Sequence, residues 1–327
     1  MLTDWTEGES HWLPSIPGMS DAVITRTSLL RGPGQAAGAM FLVGTLAGVS
    51  GLIQDYPVHG GQALRYLLAA AILLAAARLA GLRFLRPAPR EAALLVALSL
   101  TGLALFNVCV IEATRHAGPA LVGTVLGTVP LVLALSGGRP SPRLAGAAAV
   151  VVAGATVATG LGGGGPVALL WSLGALACEV CFSLLALPLL PRFGALRVSA
   201  YTAVLAVPLL GVFGLVADGA AALRVPTPAE AAGLGYQAVV VTAVAFFLWY
   251  DALPRLGAQT AGLFAGLIPV GAMVTGAALG FGAPSAAELA GAALVVTGIA
   301  VGLAPSPGPA PGPVVSPVER PAAGRTL

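Results

Sequence analysis

The sequence predicts an all-α integral membrane protein with ten transmembrane helices arranged as two inverted five-helix repeats. Composition, a series of long apolar runs and an internal repeat lead to this prediction. Of the 327 residues, 57% are hydrophobic and 9% are charged, whereas roughly one-quarter of the residues in a soluble domain are charged. The mean hydropathy is +0.93. This composition is typical of a membrane protein and excludes an ordinary soluble domain.

Apolar runs of about 20 residues, the length that crosses the hydrocarbon core, follow one another between two more polar ends. Residues 1–34 predict a cytoplasmic N-terminal tail, with Met19 as an alternative start, and the Pro-rich residues 305–327 predict a disordered C-terminal tail. We expect the spans at residues 35–54, 62–80, 92–112, 117–136, 143–161, 166–190, 196–217, 233–252, 256–280 and 286–304.

Two windows of the chain repeat at a constant separation of 139 positions. The windows 112–130 (EATRHAGPALVGTVLGTVP) and 251–269 (DALPRLGAQTAGLFAGLIP) are identical at five of nineteen positions. Both contain the pattern G-x-x-x-G-x-x-P just after a turn. Such an echo indicates two halves of one ancestral unit, and we place these repeats at residues 35–162 and 163–304.

The arginines orient the spans, because basic residues concentrate in cytoplasmic loops. The sixteen basic residues are all arginine. With a cytoplasmic N-terminus, thirteen lie on the inner side, Arg115 and Arg224 lie in outer loops, and Arg65 lies in the first turn of the second span. Both termini are therefore expected in the cytoplasm, and the membrane is expected to be the plasma (inner) membrane.

Five spans per half is an odd number, so the two halves must lie upside down relative to each other, which is the architecture of many secondary transporters. Arg65 and Tyr66 open the second span, and the Gly-rich fourth and ninth spans carry Pro130 and Pro269. With the five-plus-five arrangement, these features resemble the EamA family of the drug/metabolite transporter superfamily over residues 35–304. The resemblance implies a transporter whose fourth and ninth spans border the central path.

The fourth and ninth spans therefore supply candidate gating and cavity-lining residues. Paired glycines let helices approach closely in lipid, and an internal proline kinks or hinges a helix. Plain packing is the alternative interpretation of the same residues. The candidates, with Arg65 added because the resemblance favours it, are Gly123, Gly127, Pro130, Gly262, Gly266, Pro269 and Arg65.

Glu179 is the leading candidate for a substrate or proton site. It lies near the middle of the predicted sixth span, where no basic residue accompanies it. An intramembrane carboxylate costs about 2.5–3.5 kcal/mol on insertion scales, so it usually faces a cavity or a partner. A protonated Glu179 that bonds to a neighbouring backbone is the alternative.

Other polar residues within the apolar runs are weaker candidates. Asn107, Gln237 and Tyr236 extend the candidate substrate site. Simple interhelical hydrogen bonding is the alternative for Asn107 and Gln237, and anchoring at the membrane interface is the alternative for Tyr236 and the expectation for Trp249 and Tyr250. Glu112 and Asp251 lie at span ends, and we expect them to pair with Arg115 and Arg255, respectively, which follow three and four residues later.

Several chemistries are disfavoured. The absence of lysine excludes a phosphate-binding P-loop and a Schiff base. Cys178 and Cys181 form a C-x-x-C within an apolar helix and are expected to pack rather than bind zinc. We expect no enzyme activity, no catalytic residue, no cofactor and no metal site.

The combined observations favour a secondary transporter, specifically an exporter of a small metabolite or drug-like compound through a midplane cavity. A membrane-embedded enzyme or sensory scaffold is the alternative. The expected partners are the small-molecule substrate and the lipid bilayer, with no nucleic acid, and a homodimer is left open.

Overall fold

The computed structural model describes residues 19–53, 55–117, 119–161, 163–280 and 282–304. Every regular element within these ranges is a helix. We number the helical segments of at least eight residues in chain order. They are α1 (Met19–Gly44), α2 (Val58–Leu79), α3 (Pro89–Ala117), α4 (Pro119–Leu126), α5 (Val129–Ser136), α6 (Pro142–Thr159), α7 (Pro166–Leu184), α8 (Leu190–Ala217), α9 (228–256), α10 (258–278) and α11 (Ala286–Leu303).

Seven helical stretches in the described ranges are long and apolar enough to cross a membrane. Six of them are α2, α3, α6, α7, α8 and α11, and the seventh is the stretch Pro228–Ala278, which contains α9 and α10. A shorter apolar stretch, Leu121–Ser136, covers parts of α4 and α5. The prediction of an all-helical membrane protein is confirmed, while the span count of ten and the inversion stay predictions.

Helix starts follow the local chemistry of the chain. Pro142 and Pro166 occupy the first turns of α6 and α7, where a helix has no use for the missing N–H. Thr227 and Glu230 cap α9 reciprocally, since the Thr227 N–H donates to the Glu230 carboxylate at 2.7 Å. Such caps explain why most helices start within a few residues of the predicted positions.

The first helix departs from its predicted bounds. It begins at Met19, inside the stretch 1–34 that was predicted as a tail, while residues 1–18 lie outside the described ranges. It ends at Gly44, and two short turns at Leu46–Val49 and Ser50–Ile53 complete the predicted span. Backbone hydrogen bonding is independent of side-chain polarity, so the polar residues from 19 onward did not prevent a helix.

Gly257 separates α9 from α10. Its φ is +71° and its ψ is 154°, a conformation that only glycine adopts without strain. The turn predicted between the eighth and ninth apolar runs is therefore present, although helical hydrogen bonding continues directly before and directly after it.

Two segments of π-helix interrupt the regular hydrogen bonding, one in α3 and one in α9. They cover Ser99–Leu105 and Gln237–Val244. Their last residues, Leu105 and Val244, are separated by 139 positions, the separation of the sequence repeat. A π-helical turn is rare and often marks a functional site.

Antiparallel helix pairs build the bundle. The most extensive contacts join α6 to α11, α2 to α8, α1 to α9 and α3 to α7. In the second of these pairs, the N–H groups of His59 and Gly60 near the start of α2 donate to Asp218, directly after α8, at 3.0 and 2.9 Å. Small residues allow such close packing where no hydrophobic effect drives helices together in lipid.

Two tyrosines tie connecting segments to the bundle. The Tyr56 hydroxyl donates to the Arg224 carbonyl at 2.5 Å, and the Tyr201 hydroxyl donates to the Leu85 carbonyl at 2.9 Å. Burial raises the pKa of Tyr56, so its hydroxyl keeps the proton that it donates. The two acceptors, Leu85 and Arg224, are again 139 positions apart.

Candidate functional site

Four aromatic rings from α2, α7 and α9 meet inside the bundle, and we call them the aromatic cluster: Tyr66, Phe182, Phe246 and Tyr250. The Phe182 ring centroid lies 5.0 Å from that of Phe246 and 5.1 Å from that of Tyr250. Tyr66 joins through Phe246 at 6.5 Å. All four are buried, and the contact between Tyr66 and Phe246 joins the first half of the chain to the second.

Arg65 lies beside the aromatic cluster with only 4% of its surface exposed. Its Cζ stands 5.2 Å from the centre of the Tyr66 ring. Its Nε donates to Thr242 Oγ1 at 2.7 Å, and its Nη1 donates to Gln62 Oε1 at 3.1 Å. Neighbouring helices therefore enclose the guanidinium.

Gln237 and Tyr236 adjoin the start of the π-segment of α9. Gln237 is fully buried, and neither its Nε2 nor its Oε1 has a partner among the described residues. The Tyr236 hydroxyl donates to Thr45 Oγ1 at 2.9 Å and ties α9 to the end of α1. Thr242 connects Gln237 to Arg65, since it receives the arginine bond and donates to the Gln237 carbonyl at 3.0 Å.

Glu179 lies on α7, one helical turn before Phe182 of the aromatic cluster. It is half-buried, and the described residues offer it no hydrogen bond or ion pair. Its charge acts on the buried Tyr250 hydroxyl, which also interacts electrostatically with Tyr66. Since α7 ends at Leu184, Glu179 falls in the last third of this helix and not at its centre.

The α7 helix is shorter than predicted for a local reason. Pro188 has no N–H to donate to the Leu184 carbonyl, so regular hydrogen bonding cannot continue through it. The chain passes through turns before α8 begins at Leu190.

Asn107 and the charged span ends bond within their own helices, so the interhelical hydrogen bond that was the alternative for Asn107 is not formed. Asn107 Nδ2 donates to the Leu103 carbonyl of its own helix at 2.5 Å. Arg115 pairs with Glu112 at 2.9 Å, and Arg255 pairs with Asp251 at 3.1 Å, so the predicted ion pairs are confirmed. The structure does not bring Asn107 into a hydrogen bond with Glu179 or Gln237.

The candidate glycines of α4 and α10 lie at helix contacts. A Cβ on Gly127 would come within 3.2 Å of the Ala155 Cβ on α6, and one on Gly262 would come within 2.7 Å of the Leu133 Cβ on α5. A Cβ on Gly123 would stand 3.4 Å from Thr159, and one on Gly266 would overlap Val151. These contacts agree with the packing interpretation, and a gating role stays a prediction.

The prolines follow irregular turns. Pro130 is in the first turn of α5, directly after the break at residues 127–128, and Pro269 follows the 3-10 turn Leu263–Gly266 within α10. In each place the proline cannot donate to the carbonyl four residues earlier, which explains the local break.

A cavity of about 450 Å³ opens between α6, α10 and the segment that leads into α11. Pro269, Met273, Thr159 and Glu288 are among its lining residues. Of the residues predicted to line a cavity, Pro269 lines this one. The aromatic cluster and Arg65 do not line it and are closed off from it.

Sequence reasoning found Arg65, Gln237 and Glu179 but missed the residues that connect them. Thr242, Gln62 and the rings of Phe182 and Phe246 are ordinary residues of apolar helices by composition. The one signal was the aromatic run at residues 246–250, in which Trp249 and Tyr250 were expected at the membrane interface. Both are buried instead, with 2% and 0% of their surfaces exposed.

Residues 166–303 match the EamA-like transporter family. The matched part of the chain contains Glu179 and four of the helices that carry the aromatic cluster, Thr242 or the cavity, namely α7, α9, α10 and α11. Its bounds nearly coincide with the second predicted repeat, residues 163–304.

The similarity extends beyond residues 166–303. The chain is 26% identical over 251 residues to the "Uncharacterized transporter YetK" of Bacillus subtilis (strain 168), which covers 73% of this chain and 76% of that relative. A solved crystal structure superposes with a TM-score of 0.70 at 24% identity, over 85% of this chain and 96% of its own, and shares the fold. The predicted resemblance to the EamA family is confirmed as a resemblance, and both the matching family and the relative from Bacillus subtilis are described as transporters.

Proposed function

We propose that the chain is a secondary transporter with ten spans in two inverted five-helix repeats, which exports a small metabolite or drug-like compound from the cytoplasm. The match of residues 166–303 to the EamA-like transporter family carries the proposal. The proposed transport site lies between the halves, around the aromatic cluster, with both termini cytoplasmic in the plasma (inner) membrane. The proposed partners are the substrate and the lipid bilayer, with a homodimer left open.

Equivalent local structure at equal spacing supports two repeats. Pro89 and Glu91 lie in the first turn of α3, and Pro228 and Glu230 lie in the first turn of α9. Pro228 follows Pro89 by 139 positions, and Glu230 follows Glu91 by the same number. The π-segments and the carbonyl acceptors of Tyr56 and Tyr201 follow the same spacing. One ancestral unit of five helices accounts for all of these features.

The packing supports inversion. In the proposed repeats, α2 and α8 occupy equivalent positions, as do α6 and α11. The two helices of each equivalent pair pack against each other antiparallel. The α1–α9 pair is the equivalent of the α7–α3 pair. Equivalent helices that face each other in opposite directions are what a two-fold axis in the membrane plane produces.

Glu179 is the proposed proton site. It is the acidic side chain beside the aromatic cluster, and none of the described residues neutralises it. A carboxyl that binds and releases a proton can couple substrate movement to a proton gradient without a permanent buried charge. Proton-coupled exchange requires at least one side chain that binds a proton and then releases it.

The test is an efflux and uptake screen in proteoliposomes across amines, amino acids and nucleobases, with and without a proton gradient. Glu179→Gln should abolish gradient-driven accumulation while leaving substrate counterflow measurable, because the amide keeps the shape but cannot change charge. Glu179→Asp should keep part of the coupled rate. Glu112→Gln, which alters an exposed ion pair, is the matched control. Coupled accumulation with unchanged pH dependence in Glu179→Gln would remove Glu179 from the mechanism.

A further inference from the structure

Arg65 is a fully enclosed cation with neutral partners. Its hydrogen bonds go to the Thr242 hydroxyl and the Gln62 amide, and 4% of its surface is exposed. None of the ion pairs in the described part of the chain includes it. A guanidinium remains protonated in proteins, so the charge is present whatever the pH.

An enclosed charge without a counter-charge is costly. Removing one partner of a buried ion pair is strongly destabilising because it leaves a buried charge uncompensated, and Arg65 is in this unpaired state. Arg224 and Arg255, in contrast, pair with Glu230 and Asp251. No carboxylate among the described residues therefore balances the positive charge of Arg65.

Further polar atoms without partners lie on the same face of α9. Residues 237 and 242 are one π-turn apart, and the Thr242 hydroxyl bonds to the Gln237 carbonyl. The Gln237 amide is unpaired at both polar atoms, and the Tyr250 hydroxyl is unpaired as well. Buried polar groups are normally hydrogen-bonded, so these unsatisfied side chains, on the helix that bonds to Arg65 through Thr242, are consistent with a polar ligand.

We propose that Arg65 is the anion-binding subsite of the transport site and takes the carboxylate of a small organic acid. The flat guanidinium fork binds a carboxylate through two parallel hydrogen bonds. Thr242 holds Nε and Gln62 holds one hydrogen of Nη1, so Nη2 and the second hydrogen of Nη1 form the edge that takes the carboxylate. The apolar body of the acid packs against Tyr66 and Phe246. The assignment rests on the proposed transport function and names its substrate class.

A lipid phosphate does not fit this position. Helices α2 and α9 enclose the guanidinium and the aromatic cluster adjoins it, so no acyl chain could extend from a headgroup bound there. The site is closed in the described conformation, and a soluble acid enters when the helices part during alternating access.

The test uses the full chain in detergent with benzoate, benzamide and benzylamine at equal concentration and ionic strength. These probes share a ring and differ in charge. Benzoate should raise the midpoint of thermal unfolding by about 2–4 °C near saturation, and benzamide and benzylamine should leave it within 1 °C, roughly the smallest shift expected from weak binding. Equal shifts with benzoate and benzamide would overturn the subsite.

Variants separate the subsite from a structural role. Arg65→Gln should lose the benzoate shift, and Arg65→Lys, which keeps the charge but not the fork, should need about tenfold more benzoate for half of the shift. Arg90→Gln removes an exposed charge at the start of α3 and should respond as the parent does. If Arg65→Gln does not fold, an unchanged half-maximal concentration in Arg65→Lys overturns the assignment.

The binding test does not depend on transport. A benzoate response that requires Arg65, in a protein that moves no substrate, would refute the transporter and keep the subsite. Transport of substrates in the absence of any benzoate response would refute the subsite and keep the transporter.

Discussion

Several polar side chains in the core have no hydrogen-bond partner among the described residues. Gln237, Trp249 and Tyr250 are buried, yet the Gln237 amide, the Trp249 Nε1 and the Tyr250 hydroxyl are unsatisfied. Desolvating such a group costs about 1–3 kcal/mol. Residues that lower stability in this way are retained when they contact a ligand.

Gln237→Leu should stabilise the protein and impair its function. Leucine fills a similar volume and removes two unsatisfied polar atoms, so the free energy of unfolding should rise by about 1–2 kcal/mol. The thermal midpoint in detergent measures the first effect, and the transport assay measures the second.

Gln259→Leu is the matched control. The Gln259 Nε2 donates to the Ala134 carbonyl at 2.7 Å, so leucine there removes a made bond and should lower the midpoint. If both leucine variants shift the midpoint in the same direction, the unpaired state of Gln237 is not what determines stability.

Single residues of an unusual chemical type could be predicted as candidates from the sequence, but the contacts between them could not. Glu179 and Arg65 stand out in an apolar chain by type alone. The hydrogen bond between Arg65 and Thr242 joins residues that are 177 positions apart in the chain. A single sequence does not reveal a contact over such a separation. Thr242 is also indistinguishable from threonines that bond only to their own helix, as Thr202 does with the Val198 carbonyl.

At the scale of the helix, glycines set the distance between α6 and α11. A Cβ on Gly291 would lie 2.5 Å from the Ala158 nitrogen and 2.5 Å from the Gly154 carbonyl oxygen. Both are backbone atoms that cannot rotate away. The pair therefore depends on glycine at this contact, as small-residue packing in membranes does.

Gly291→Leu should prevent α11 from seating on α6. We expect a loss of about 3 kcal/mol or more, seen as aggregation in size-exclusion chromatography or as a much lower thermal midpoint. Gly146→Leu is the control on α6, because a Cβ there meets nothing within 4 Å. A normal elution profile for Gly291→Leu would show that the two helices can separate without loss of the fold.

The two prolines after irregular turns are the proposed hinges. Pro130→Ala and Pro269→Ala restore a backbone donor, so the breaks at 127–128 and Leu263–Gly266 should close into regular helix and slow transport. Insertion should be unchanged. Transport rates in proteoliposomes measure the effect, with Pro208→Ala, an interior proline of α8, as the control. Parent rates in both hinge variants would leave the prolines as tolerated kinks.

At the scale of the whole molecule, most of the fold could be predicted because apolar run length and helix signals are local properties. The runs predicted at 62–80, 143–161 and 286–304 correspond to α2, α6 and α11. The early start of α1 could not be predicted, because its first turns are polar. The enclosure of Arg65 could not either, since it depends on how distant helices cross.

Topology is open to a direct test. Gly163→Cys and Pro284→Cys should react with a membrane-impermeant maleimide added outside intact cells, and Ser141→Cys should react after permeabilisation only. The parent, whose three cysteines are buried or half-buried, gives the background. Protection of both outer positions would refute the ten-span arrangement.

The π-segments of α3 and α9 also bear on the history of the chain. A π-helical turn holds one residue more than the α-helical turn that it replaces, and it arises by a single insertion. Two insertions at positions 139 apart would be a coincidence if each occurred separately. Under the proposed duplication, one insertion in the ancestral five-helix protein accounts for both, so the extra residue is older than the fusion of the two halves.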